Sequence, residues 1–312
     1  MTWLIVAIIA YIVMAAVNVA DKFVLENVVS GPRTYTFLVG ASGAAVIVLA
    51  PWFLQWPGLG LFLFDVLVGS FFAAGIFFLY SALKGHDASQ IFTLVGGTVP
   101  IFTVILSIIF FKEIFTLNQW LAIVYLILGT MIISAISPRH SIWYEVKHFL
   151  HIDFDKRWHS ILFSFISALF FALFWFGSKV AYNGQEFLSA FIWIRLGTFF
   201  AVLCLLFSPR NRQGILADLK KSKGKKQNKF IFLGTQVGGA IGSVLQNYAV
   251  ALGSVALVTS LQGLQYGLIL AFTYFITIFY PKIIKEKRSR KIMAYKIVAA
   301  VLVAMGLFYM SQ

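Results

Sequence analysis

Long apolar runs follow one another through this chain, separated by short polar links. Lipid offers the backbone no water, so a crossing segment must pair its own N–H and C=O groups. A helix of roughly 20 apolar residues does so. Ten such runs can be marked, near 3–20, 34–54, 65–82, 88–111, 117–136, 160–180, 188–207, 230–251, 256–280 and 292–311. Composition agrees: 60% of residues are hydrophobic and 12% charged, where a soluble domain carries about a quarter charged. The expected fold is an all-α integral membrane protein with ten transmembrane helices. The first run lacks a charged leading stretch and a small-residue cleavage site, so it reads as a retained helix and not a signal peptide. Cys204 is the single cysteine, which rules out an intrachain disulfide.

One module occurs twice. Tyr80-Ser-Ala-Leu83 ends a helix, a helix over 88–111 contains Pro100, Lys112-Glu113 links it onward, and the next helix carries Gly129. Later come Tyr248-Ala-Val-Ala-Leu252, a helix over 256–280, Lys285-Glu286, and a last helix with Gly306. Asn18-Val-Ala-Asp-Lys22 and Trp175-Phe-Gly-Ser-Lys179 match at the starts of the halves. An odd number of spans per half turns the second copy upside down, giving two inverted five-helix repeats around a central cavity. The expected units are 1–137, a linker over 138–159, and 160–312. In the linker, Ile142, Trp143, Val146, Phe149 and Leu150 recur at helical spacing and predict a short amphipathic helix at the membrane surface. Glu145, His148 and His151 there lack a further ligand, so solvated polar groups are expected and no metal.

The Tyr-x-Ala-Leu sequence before a Pro-containing helix, followed by the Lys-Glu link, resembles the EamA-type family of the drug/metabolite transporter superfamily. The family's link is usually Gly-Glu-Arg; here it is Lys112-Glu113-Ile114. In the second copy Pro281 interrupts the pattern and no proline matches Pro100. The resemblance implies a ten-helix carrier of small metabolites or nucleotide sugars.

The net charge of +14 is unevenly placed. Links 1–2, 3–4, 5–6, 7–8 and 9–10, with their flanking helix ends, hold 22 of the 25 lysines and arginines. The opposite side holds Lys112 and Lys179, and Arg195 lies within a span. This asymmetry reads as membrane topology and not nucleic-acid binding. It predicts cytoplasmic basic links and both termini outside, in a plasma (inner) membrane, whereas the family resemblance implies cytoplasmic termini. The run Lys220-Lys-Ser-Lys-Gly-Lys-Lys226 serves as an anchor at lipid headgroups.

Function is expected where polar groups enter the spans. Arg195 sits about seven residues into the seventh span, roughly 10 Å deep. Two readings stand: a counter-charge for a carboxylate or phosphate, or a structural arginine bonded to helix-end carbonyls. Lys22, Lys179 and Lys296 lie close enough to helix ends to snorkel. Lys179 shares a membrane side with Arg195, and Gln246 and Asn247 end near it. In the ninth span Thr259, Gln262 and Tyr266 share a face with Gln265 beside them; Gln90, Thr93 and Gly97 are the counterparts in the fourth. Gly96-Gly97 and Pro100 can free carbonyls. Trp175, Trp193 and Tyr80 are candidate cavity aromatics. The expected substrate-binding set is Arg195, Gln262, Gln265, Tyr266, Gln246, Asn247, Gln90, Thr93, Trp175 and Lys179.

Small residues at four-residue spacing, Gly234/Gly238/Gly242 in the eighth span and Gly69/Ala73 in the third, predict a close pair of those two helices. Asp21, Asp65 and Glu113 read as near helix ends, leaving no acidic group deep in a span. Exchange or facilitated diffusion is thereby favoured over proton antiport. Gly40-Ala-Ser-Gly43 is similar to the nucleophile motif of rhomboid-type proteases, but no histidine lies within a span to activate Ser42. No enzyme, catalytic residue, metal or cofactor is expected. The expected partners are a small polar solute and the lipid bilayer, without nucleic acid, and the chain is expected as a monomer or homodimer. A flippase for a lipid or lipid-linked sugar headgroup is the alternative.

Overall fold

The computed structural model describes residues 2–25, 32–83, 88–135, 154–222, 229–279 and 290–312. Outside them lie the expected linker helix at 142–150, with Glu145, His148 and His151, and the Lys285-Glu286 link. Among the described residues there are helices and turns and no strand. The helices are α1 Thr2–Leu25, α2 Pro32–Gly43, α3 Leu59–Ala82, α4 Ala88–Phe111, α5 Leu117–Ala135 and α6 Phe154–Gly184. They continue with α7 Phe187–Cys204, α8 Pro209–Ser222, α9 Lys229–Leu252, α10 Val255–Ser260, α11 Gln262–Phe279 and α12 Arg290–Ser311. A 3-10 stretch Ala44–Leu49 and one turn Ala50–Phe53 prolong α2.

Every expected span finds a helix. Among the described residues seven stretches are long and apolar enough to cross a membrane, while Leu117–Ile132 and Ile297–Ser311 are shorter apolar helices. The polar side chains Gln236, Ser243, Gln246 and Asn247 dilute α9. Large apolar side chains such as Ile5, Leu63, Ile109, Leu128, Phe165 and Val301 stand exposed on the outside. Water would not tolerate so broad an apolar surface, and lipid covers it. The chain is an integral, multi-pass membrane protein.

Three local departures have physical causes. First, α3 begins at Leu59 and not 65. Gly58, with φ of 89°, makes the left-handed turn after Pro57, and the apolar run Leu59–Phe64 continues the helix backwards. Second, α8 is an additional helix between the seventh and eighth spans. It packs Ile215 inward, and the Thr34 hydroxyl donates to its Asp218 at 2.7 Å.

Third, the ninth span is broken at Leu261. In an unbroken helix the Val258 carbonyl would accept from the N–H of Gln262. Here the Tyr11 hydroxyl donates to that carbonyl at 2.7 Å, and the N–H of Leu261 closes a tighter turn onto it at 3.2 Å. A side chain inserted into the hydrogen-bond ladder is a recognised cause of helix kinks. The shared face of Thr259, Gln262 and Tyr266 is therefore not continuous: Thr259 ends up on α10, the other two on α11.

Glycines set the close crossings. α3 runs against α6 and α7, α1 against α9, and α5 against α12. A methyl group added at Gly69 would stand 2.2 Å from the Ile194 carbonyl oxygen, and one at Gly197 would stand 2.6 Å from the Val66 Cα. On α9, Gly238 and Gly242 face Val17 and Met14 of α1, while Gly234 faces nothing within 4 Å. The expected pairing of the third and eighth spans is thus corrected. Each lends its small residues to a different neighbour.

Candidate functional site

Polar side chains in the interior gather on both flanks of α9. On the flank toward α1, Gln246 Nε2 donates to the Tyr11 hydroxyl at 3.2 Å. Gln262 Nε2 lies 3.3 Å from the Tyr266 hydroxyl, and the Tyr266 ring passes 3.4 Å from where a methyl at Gly96 would stand. Pro100 has no N–H to offer the Gly96 carbonyl, so α4 presents a loosened stretch there. Gln265 is buried in the same segment. The side chains of Gln90 and Thr93 lie outside the described residues. Thr259 meets the opposite half instead, its hydroxyl 2.7 Å from that of Thr103 on α4.

On the other flank, the Tyr182 hydroxyl of α6 donates to Asn247 Oδ1 at 2.9 Å, and Asn247 Nδ2 donates to the Ser243 carbonyl at 2.9 Å. Arg195 of α7 reaches in beside them. Its guanidinium donates to the Ser243 hydroxyl and lies 5.2 Å from the ring centres of both Phe72 and Phe191. Its stem passes 3.8 Å from the methyl position of Gly43 on α2. Among the described residues no carboxylate pairs with it, and no helix-end carbonyl does. Aromatic faces stabilise a cation, yet several of its five N–H donors are left over.

Lys179 stands apart from Arg195. Its Nζ donates to the Ala251 carbonyl at the end of α9, at 2.8 Å. Glu113 accepts the Ser254 hydroxyl at 2.7 Å. These contacts join the link after α4 to the link after α9. Trp175 packs against all three buried apolar clusters. Trp193 donates its indole N–H to the Gln55 carbonyl at 2.9 Å, and Tyr80 stacks on Tyr35 with ring centres 3.9 Å apart. The Ser42 hydroxyl bonds back to the Val39 carbonyl of its own helix.

One acidic side chain overturns an expectation. Asp65 is 0% exposed and, with α3 starting at Leu59, lies about 9 Å into the helix. Gln185, at the corner between α6 and α7, donates to both its oxygens at 3.1 and 3.0 Å. The statement that no acidic group lies deep in a span is corrected, and the case against proton coupling falls with it. Placing the helix start at 65 had put Asp65 at an end; the run Leu-Gly-Leu-Phe-Leu-Phe before it was the missed signal. Tyr11, Tyr182 and Ser243 were also missed, because only the fold brings them to their partners.

Comparison with known proteins gives three results. No curated protein matches the chain significantly. Among solved structures, one described only as a crystal structure of a protein matches with a TM-score of 0.61 at 15% identity. It covers 99% of this chain and 95% of its own, a likeness of fold alone. The model of the EamA-like transporter family matches residues 1–135. Over those residues the chain is similar to that family, the one that the paired sequence motifs resemble.

Proposed function

We propose that this protein is a secondary transporter for a small polar metabolite bearing a carboxylate or phosphate, working by alternating access between two inverted five-helix repeats. The observation that carries the substrate class is Arg195: a cation inside the bundle, held by one hydroxyl and two aromatic faces, with donors to spare. An anionic group can take those donors as a charge-assisted pair. Gln246, Asn247, Gln262, Gln265 and Tyr266 then offer neutral hydrogen bonds around it.

The two-repeat arrangement is supported by the packing. Exchanging the halves turns the pair α1–α9 into α6–α3, and it leaves α5–α12 and α2–α7 as they are. The close crossing of α3 with α7 would correspond to one between α9 and α2. Those two are not close-packed, α2 resting on α3 and α7, and Arg195 points between them. Such an asymmetry suits a carrier resting in one of two states. The basic links on one side support a cytoplasmic position for that side under the positive-inside rule.

Thermal-shift measurements on the purified protein test this reading, with amino acids, dicarboxylates, nucleotide sugars, polyamines and lipid-linked sugars as probes. An anionic soluble probe should stabilise the wild type, and Arg195→Gln should lose that response while melting normally alone. Stabilisation only by polyamines, or an unchanged response in Arg195→Gln, overturns it. A response confined to lipid-linked sugars would identify a flippase instead.

A further inference from the structure

Asp65 is an acidic side chain to which the carrier reading gives no task. It is fully buried, and among the described residues its hydrogen-bond partner is the amide of Gln185. One nitrogen of that amide serves both carboxylate oxygens, while its oxygen, Oε1, is buried with no hydrogen-bond partner among the described residues. An ionised carboxylate only accepts hydrogen bonds and cannot satisfy that oxygen. A protonated carboxyl can. A small swing of the amide sets the new O–H against Oε1 and leaves Nε2 on the other carboxyl oxygen. The unpartnered acceptor marks where a proton would go.

No neighbouring charge competes for this role. On α6, Lys179 is turned to the Ala251 carbonyl, and Tyr182 to Asn247. On α7, Arg195 is turned to Ser243, and Glu186, at its N-terminal edge, is exposed. On α2, Arg33 is exposed and Tyr35 stacks on Tyr80 at the far end of α3. The α2–α3 link over 54–58 carries no titratable side chain, and α4 carries none over its described side chains. A buried carboxylate with only an amide for company is costly to keep charged.

From this geometry we infer that Asp65 and Gln185 form a proton-binding site that couples transport to proton uptake. The inference rests on the carrier reading above. A proton from water adds to a carboxylate oxygen of Asp65, reached past the partly exposed Gln185, and no other bond breaks. With the site empty, Asp65 and Arg195 balance each other in the interior. Protonation leaves one positive charge there, and an anionic solute restores neutrality, so proton and anion enter together. Tyr182, near the end of α6 and three residues before Gln185, leads through Asn247 and Ser243 to Arg195.

The test needs no transported solute. Full-length protein in proteoliposomes is stepped from neutral to acid pH while infrared difference spectra and charge displacement on a supported membrane are recorded. Wild type should show a protonated-carboxyl band and a transient displacement that Asp65→Asn loses and Asp65→Glu retains. Gln185→Leu should shift the band, because the carboxyl loses its acceptor. Identical records for wild type and a folded Asp65→Asn overturn the proton site and leave the carrier reading intact. A normal band in a protein stabilised by no solute would do the reverse.

Discussion

The hydroxyl of Tyr11 on the first helix lies 2.7 Å from the carbonyl of Val258, 247 positions along the chain. It takes the acceptor that would have continued the ninth span and so sets the break at Leu261. The same oxygen receives Gln246 Nε2, tying α1, α9 and α10 into one joint.

Tyr11→Phe keeps the ring and removes that joint. Gln246 loses its acceptor and the Val258 carbonyl keeps only the Leu261 N–H, which it shares with the Leu257 carbonyl. Leaving buried polar groups short of partners costs about 1–3 kcal/mol. A lower unfolding midpoint in detergent is expected, with Gln246→Leu in the same background restoring part of it. Equal midpoints for Tyr11→Phe and wild type would show that the bond does not hold the break.

What the amino-acid order revealed, and what it hid, divides along the range of the interactions. Span positions follow from local apolar runs, and the repeated module follows from Tyr80, Lys112-Glu113 and their later matches. The importance of Arg195 was legible because a cation in lipid needs a reason. Its aromatic neighbours were not, since with Phe at 33 copies no ring stands out. The break at Leu261 depends on a hydroxyl in another half of the chain, and no window around 261 contains it. Asp65 was hidden by a boundary error of a turn and a half, enough to move a buried group to a surface.

Lys112 is a non-glycine residue with φ of 52°, in the left-handed region that L side chains avoid at about 1–2 kcal/mol. It occupies the place where the link of the family that the motif resembles usually has glycine. The conformation lets the N–H of Glu113 turn back to the Ser107 carbonyl at 3.3 Å. Lys112→Gly is expected to raise stability by about 1 kcal/mol, read as a higher unfolding midpoint. Lys112→Ala, which keeps the Cβ, should give no such gain.

Two glycine substitutions should part company. At Gly69 a methyl group would meet the Ile194 carbonyl and the Thr198 N–H, both backbone, at 2.2 and 2.4 Å. Backbone cannot move aside, so Gly69→Ala should cost about 3 kcal/mol or fail to fold. Gly234 has open space, and Gly234→Ala should leave stability unchanged or raise it by up to about 1 kcal/mol. Similar midpoints for both would refute the close crossing of α3 and α7.

Ser243 gives Arg195 its one hydroxyl partner, so Ser243→Ala should weaken the response to an anionic probe without removing the charge that attracts it. A loss of about 1 kcal/mol, or roughly fivefold in affinity, is expected. Arg195→Gln should lose the response altogether. Equal effects of the two variants would mean that the hydroxyl, and not the cation, does the recognising.

The hydroxyls of Thr103 and Thr259 meet at 2.7 Å, joining α4 of the first half to α10 of the second. Replacing both by cysteine brings two sulfurs within the reach of a disulfide, whose Cβ atoms stand about 3.5–4.5 Å apart. Cys204 is exposed and is the single native cysteine, so Cys204→Ser supplies a clean background. Both threonines lie toward the side where Lys179, Glu113 and Ser254 already close the halves together. Oxidation should fix that closed side. Thermal stabilisation by an anionic probe should survive, because the site remains reachable from the other side. Turnover of the same probe in proteoliposomes should stop and return with reductant. Turnover that continues in the oxidised protein would mean that α4 and α10 do not separate during transport, and the halves must then move about some other contact.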